Sequence, residues 1–173
     1  SAMAMRLLLP LLLLCTICHA QTNLAPNPGF EESGGWDLVP VAGAEGTIAP
    51  DALACSGARS LKLTKTNAPG YLVLRSQAPV SLQPNVRYTC RFRFHAEDAS
   101  LANLLLLRVA PKDAILSYNA IDRSAGWMSQ SLLINSPTGK WEKRVVHYQT
   151  DQPQEVFINV VLWGNPCAVR LDD

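Results

Sequence analysis

From Val86 to Ala96 the chain alternates strictly: Tyr88, Cys90, Phe92 and Phe94 fall on one side, and Thr89, Arg91, Arg93 and His95 on the other. Successive side chains of a strand point to opposite faces of its sheet, so this stretch requires an apolar layer behind it and leaves a polar, cationic face in front. Related strand signals recur at short intervals. Arg59 to Lys65 places Leu61 and Leu63 on one face, and further strands are expected over Tyr71–Gln77, Asn103–Val109, Ser129–Ile134, Trp141–Gln149, Glu155–Trp163 and Ala168–Asp172. They are cut by turn residues at Ala68-Pro69-Gly70, Gln83-Pro84-Asn85, Ser136-Pro137-Thr138-Gly139 and Gly164-Asn165-Pro166. Apart from Asp113 to Ile121, no segment offers a helical period, and nothing resembles a βαβ unit. Many short strands with Gly/Pro turns predict an all-β sandwich.

The N-terminal residues stand outside this pattern. Ser1 to Ala4 reads as a cloning remnant, residues 5–20 as a signal peptide (Met5-Arg6, the apolar run Leu7 to Leu14, then small residues up to Ala20), and residues 21–173 as one exported domain. The expected location is secreted, periplasmic or extracellular. The apolar run is too short to span a bilayer. About 150 residues remain, enough for a real core. A formal net charge of +1 gives no global reason to expect nucleic acid or membrane partners. Cys55, Cys90 and Cys167 survive signal removal, so at most one disulfide can form. The alternation buries Cys90; either Cys55 pairs with Cys167 or all three remain thiols.

One further stretch carries turn chemistry. In Asn23-Leu24-Ala25-Pro26-Asn27-Pro28-Gly29-Phe30-Glu31-Glu32, closed by Gly34-Gly35-Trp36, Pro28 is expected to fix one dihedral and Gly29 to supply a positive one before Phe30 enters the core. This run, with Ser56-Gly57-Ala58-Arg59-Ser60-Leu61, Leu82-Gln83-Pro84-Asn85-Val86-Arg87-Tyr88, Gly139-Lys140-Trp141 and the closing Leu171-Asp172-Asp173, resembles the carbohydrate-binding modules of families 4, 9, 16 and 22 in content and in order. The resemblance covers residues 23 to 173. It implies a jelly-roll sandwich of the galactose-binding-domain-like kind, a concave sheet face that holds a polysaccharide or oligosaccharide, and a parent secreted enzyme whose catalytic domain lies downstream. It also implies a structural calcium ion, with Glu31, Asp172 and the backbone at Ser56 as ligands, and Glu32 and Asp173 as alternatives by register. Hard oxygen ligands of this kind are what Ca²⁺ prefers. Trp36 and Trp141 fall at positions that the resemblance makes structural, in the core or at its rim.

Alternation indicates which side chains would meet the sugar. Arg108 stands opposite Leu107 and Val109, and Phe157, Asn159, Val161 and Trp163 stand opposite Val156, Ile158, Val160 and Leu162. Flat aromatic rings pack on the C–H face of a pyranose, and planar polar groups bond its hydroxyls. Trp163, Asn159, Arg91, Arg93, Arg108 and Arg75 meet that specification, taken as one groove. Several arginines in it would favour an acidic glycan, since a guanidinium holds a carboxylate or sulfate bidentately; alternatively, they are solvated residues paired with local acids. In the long connection from Pro111 to Gly126 and just after it, Tyr118 and Trp127 are candidates for ring stacking, or Trp127 caps the sandwich. The place of Tyr71 stays open.

Catalysis has little footing in the sequence. The mature part has two histidines, His95 and His147, no His-Glu-x-x-His, no Gly-x-Ser-x-Gly and no phosphate loop. The alternatives to a binding module are a polysaccharide lyase using Arg91, Arg93, His95 and Tyr118, and a structural or protein-interaction sandwich.

Overall fold

The computed structural model of the chain describes residues 23–97, 103–111, 128–134 and 139–172, with residues 128–134 described by backbone only. The expected signal peptide, the possible helix at Asp113 to Ile121, the loop candidates Tyr118 and Trp127, and Asp173 lie outside the described residues.

Eleven strands are present: β1 (Trp36–Val41), β2 (Gly46–Asp51), β3 (Ser60–Lys65), β4 (Tyr71–Ser76), β5 (Val80–Leu82), β6 (Tyr88–Ala96), β7 (Asn103–Ala110), β8 (Met128–Ile134), β9 (Glu142–Tyr148), β10 (Gln154–Trp163) and β11 (Cys167–Asp172). All pairings are antiparallel. They form a six-stranded sheet in the order β1-β4-β10-β7-β8, with β5 also on β10, and a five-stranded sheet in the order β2-β3-β11-β6-β9. No helix occurs among the described residues, and the architecture is the all-β sandwich that the alternation predicts, of the jelly-roll kind that the resemblance implies.

The two sheets enclose one apolar layer. Leu72, Leu74, Leu105, Leu107, Val160 and Leu162 from the six-stranded sheet meet Leu63, Phe92, Phe94, Val169 and Leu171 from the other. Phe30 closes one end, its ring 5.5 Å from that of Trp36.

Three strands escaped the sequence reading, β1, β2 and β5, for an identifiable reason. β1 contains Pro40, and β2 contains Gly46 and Pro50. Both are edge strands, where a missing N–H removes no ladder bond and proline is tolerated. β5 has only three residues.

The anchoring turn differs in detail from expectation. The positive φ angles fall on Asn27 (41°) and Phe30 (54°), not on Gly29. Asn27 is among the residues that tolerate this region, and its side chain clasps the loop. The amide Nδ2 donates to the carbonyls of Glu32 (2.6 Å) and Gly34 (3.1 Å), and Oδ1 accepts from the Glu32 N–H at 3.1 Å. The Phe30 N–H donates to the Asn27 carbonyl at 3.1 Å. At the Ala68-Pro69-Gly70 turn a side chain on Gly70 would lie 2.1 Å from the Val41 carbonyl oxygen, so a close backbone crossing, together with φ of 63°, requires glycine there.

Cys55, Cys90 and Cys167 are all free thiols. The Cys55–Cys167 pairing is therefore corrected. Cys55 lies beside Asp172 at one end of β11 and Cys167 begins that strand at the other. Five residue steps of extended chain, about 16 Å, separate those ends, far beyond the reach of a disulfide.

Candidate carbohydrate-binding face

Strand registers order the outer face of the six-stranded sheet into rows that cross the strands. Asp37, Arg75, Asn159 and Arg108 form one row on β1, β4, β10 and β7. Val39, Val73, Val161 and Leu106 form the next, and Val41, Tyr71, Trp163 and Leu104 the third. The face thus grades from charged through aliphatic to aromatic across three rows.

The aliphatic row is the floor. Val73 and Val161 are buried on this side of the sheet, packed with Val39, Val41, Tyr71 and Leu106 in a cluster separate from the main core. Trp163 rises from the floor with 37% of its surface exposed, it and Asp37 being the two exposed residues in these rows, and Tyr71 beside it is half-buried. Burial raises the Tyr71 hydroxyl above its ordinary pKa, with Arg108 pulling the other way. Tyr71, left open by the sequence, joins the site; the Tyr71, Val73, Arg75 alternation in a single strand was the signal that could have placed it.

The charged row is held in position by its own members. Arg75 Nε donates to Asn159 Oδ1 at 2.9 Å, and its guanidinium carbon lies 5.7 Å from the centre of the Phe157 ring. Asn159, only 1% exposed, donates through Nδ2 to the carbonyls of Phe157 (3.1 Å) and Arg108 (3.3 Å). Both ends of this amide are engaged by the protein, which makes Asn159 a positioning residue for the Arg75 guanidinium on one side and ties it to the Arg108 backbone on the other. Arg108 is buried, and desolvation lowers its pKa. At the row's exposed end, Gln77 Nε2 donates to Asp37 Oδ1 at 2.8 Å.

Arg91 and Arg93 do not belong to this face. They project from β6 on the outer side of the five-stranded sheet, with β11 and β9 as neighbours. Reading β6, β7 and β10 as adjacent was the error. Alternation within a strand gives the face of that strand, but which sheet receives it depends on long-range pairing, and here β6 and β7, consecutive in the chain, lie in opposite sheets. The candidate set therefore divides: Arg75, Arg108, Asn159 and Trp163 come together, and Arg91 and Arg93 stand across the core from them.

Trp36 lies at the core rim, its Nε1 donating to the Asn27 carbonyl at 3.3 Å. Trp141 is half-buried on the outer side of the five-stranded sheet, its ring 5.7 Å from that of His95.

The residues expected around calcium do converge on one turn. Asp172 Oδ2 accepts from the Cys55 N–H (2.6 Å) and the Ser56 N–H (3.0 Å), and Glu31 Oε1 accepts from the Ala58 N–H (2.9 Å) and the Arg59 N–H at 3.4 Å. Carboxylates are the ligand type that a hard cation takes, and the turn groups that face them are N–H donors. In the arrangement present, those two oxygens are met by amides.

No family model matches the chain, and no curated protein matches it by sequence. Solved structures do match. A family 61 carbohydrate-binding module in complex with β-1,4-galactotriose superposes with a TM-score of 0.62 at 18% identity, over 88% of this chain and 95% of that one. A family 4 module gives 0.60 at 13% identity, over 86% and 96%. The xylan-binding family 22 module of Paenibacillus barcinonensis Xyn10C gives 0.52 at 18% identity, over 84% and 87%. The same fold also matches parts of longer proteins, covering 20% of a bacteriophage tailspike chain and 25% of an α-L-arabinofuranosidase chain. This chain has the β-sandwich fold of the carbohydrate-binding modules.

Proposed function

We propose that this chain is a non-catalytic carbohydrate-binding module that takes an oligosaccharide or polysaccharide on the outer face of its six-stranded sheet. The observation that carries the reading is the juxtaposition on that face of the exposed Trp163 and half-buried Tyr71 with Arg108 and with Arg75, whose guanidinium is held in place by Asn159. Trp163 supplies a ring for stacking, and Arg75 and Arg108 supply planar donors that need little reordering on binding. With Arg91 and Arg93 on the other sheet, preference for an acidic glycan rests on Arg75 and Arg108. A uronate carboxylate seated over Asn159 would be bracketed by both.

In this reading the protein is secreted and directs a catalytic domain of the same polypeptide to its substrate; the occurrence of this fold as a fraction of two longer chains supports that arrangement. A calcium ion would be held by Glu31, Asp172 and the backbone at Ser56, where it would tie the N-terminal loop to the last strand, away from the sugar. Calcium that raises the melting temperature, reversibly on chelation, would support that part.

The test is affinity electrophoresis of the full chain in gels of β-1,4-galactan, xylan and polygalacturonate at two salt concentrations, with a search for released sugars or unsaturated ends. Retardation without turnover is expected, strongest on polygalacturonate and weakened by salt. Trp163→Ala should reduce affinity by about 1 to 3 kcal/mol while the protein stays folded. Unchanged retardation of a folded Trp163→Ala protein would remove this face as the site, and new unsaturated ends would make the protein a lyase.

A further inference from the structure

The outer face of the five-stranded sheet carries charge in two patterns. Toward β3 and β11 every cation is neutralised. Arg170 Nε lies 3.0 Å from Asp51 Oδ1 and its Nη2 lies 2.8 Å from Glu97 Oε1, while Lys62 Nζ lies 2.7 Å from Glu97 Oε2. Toward β6 and β9 the pattern reverses. Register places Thr89 across from His147, Arg91 across from Val145 and Arg93 across from Lys143, with Trp141 and His95 in ring contact beyond them. Arg91, Arg93 and Lys143 make no ion pair among the described residues. The one acid of β9, Glu142, is paired instead with Arg144, whose guanidinium lies over Phe94.

Two features of this strip call for a ligand. Arg93 stands between Asp172 on β11 and Lys143 on β9, so that toward the β9 side it directly opposes a like charge, an unfavourable cross-strand pair. A lysine on the edge strand β9 would by itself protect that edge from pairing with another chain, but Arg91 and Arg93 lie one strand inside the edge, where they serve no such purpose. Their Cα atoms are about 6.5 to 7 Å apart along the strand, with Lys143 about 5 Å across from Arg93. The result is a triangle of cations on the sheet surface, bordered by the Thr89 hydroxyl and the His147 imidazole, which lie 3.1 Å apart, and by the half-buried Trp141.

We infer that this strip is a second binding surface for an acidic polysaccharide, on the side of the sandwich opposite the Trp163 face. A chain bearing carboxylate or sulfate groups would bridge Arg91, Arg93 and Lys143 in succession, relieving the opposed like charges, with hydroxyls reaching Thr89 and His147. Val145, across from Arg91, is the one exposed large apolar side chain of the strip among the described residues, too little to wedge into a bilayer, and the strip's one tryptophan leaves a nucleic acid strand without a succession of stacking platforms. The inference is independent of the sugar assignment to the other face.

The experiment uses the full chain in gels of dextran sulfate, with neutral dextran as control. Retardation by dextran sulfate is expected. It should fall at least tenfold in apparent affinity in the Arg91→Glu/Arg93→Glu double variant, fall less in Lys143→Glu, and stay within twofold in Lys62→Gln, whose charge Glu97 already answers. Melting temperatures check that each variant is folded, and Arg91→Gln/Arg93→Gln replaces the charge reversal should that protein fail to fold. Undiminished retardation in the arginine variants, no retardation of the wild type, or loss in Lys62→Gln as large as in the double variant would overturn the inference. So would tighter binding to phosphatidylglycerol vesicles or duplex DNA than to dextran sulfate at equal ionic strength.

Discussion

The two outer faces of this sandwich hold arginine in different ways. On the six-stranded sheet Arg75 is oriented by an uncharged partner, Asn159, and by the Phe157 ring. On the five-stranded sheet Arg170 is clamped between Asp51 and Glu97, whereas Arg91 and Arg93 on the same surface have no ion pair among the described residues. An arginine held by neutral neighbours keeps its positive charge available at a fixed place, while one held by carboxylates has that charge already answered. Partner, not residue type, separates a guanidinium whose charge stays available from one whose charge is spent on structure.

Removing Asn159 should have the largest effect. Asn159→Ala deletes one acceptor and two donations in a buried site, leaves Arg75 without its anchor, and should lower stability by about 1 to 3 kcal/mol. Thermal unfolding measures the loss, and gel retardation should fall with it, because the arginine row loses its order. An Asn159→Ala protein with wild-type stability and wild-type sugar binding would mean that the row is not organised from its centre.

The counterpart on the other sheet is Arg170→Gln. Its side chain is only 9% exposed and closes contacts at 3.0 and 2.8 Å, so about 1 to 2 kcal/mol of stability should disappear. Binding at the Trp163 face should not change. If sugar retardation drops together with stability, the two faces are coupled through β11 and the division drawn between them fails.

The same cluster predicts an acid limb. Asp51 is held below the ordinary carboxylate range chiefly by its hydrogen bond with Arg170, and Glu97 by Lys62 and then Arg170. A carboxylate whose folded pKa is depressed binds fewer protons than its unfolded counterpart. Its stabilisation is therefore fully present above the unfolded value, near pH 4, and is lost as pH falls through the folded one. Urea midpoints taken between pH 6 and pH 3 should fall, and Asp51→Asn should flatten that fall. An unchanged slope in Asp51→Asn would show that the pairing contributes nothing in solution.

Much of the fold was legible because it is written locally. Eight strands announce themselves by alternation and by flanking Gly or Pro, and the turns at Gly70 and Asn85 adopt the positive φ angles that their residue types favour. Proline hid β1 and β2, since a proline inside a strand signals an edge only once the sheet order is known. The site was half legible for the same reason. Each of Arg75, Arg108, Asn159, Arg91 and Arg93 shows its face within its own strand, but placing Arg91 beside Arg108 needs the pairing of β6 with β11 and β9, and of β7 with β10 and β8. Those pairings join residues far apart in the chain and leave no local mark.

Cys90 offers the smallest and most local test, one with no expected change in stability. It lies between Thr89 and Arg91 on β6 but on the opposite side of the strand, packed against the core, and burial pushes its thiol up to about 11. At pH 8 such a thiol stays almost wholly protonated, whereas an ordinary cysteine of pKa about 8.5 is about a quarter ionised, so alkylation by iodoacetamide should run at least about a hundredfold slower than at an exposed cysteine. A one-residue slip of β6 would exchange the two faces, carrying Cys90 and Phe92 outward and Arg91 and Arg93 into the core. Rapid labelling of Cys90 in the folded protein would therefore undo both the apolar layer and the cationic strip, whereas slow labelling fixes the side of the sheet on which Arg91 and Arg93 must stand.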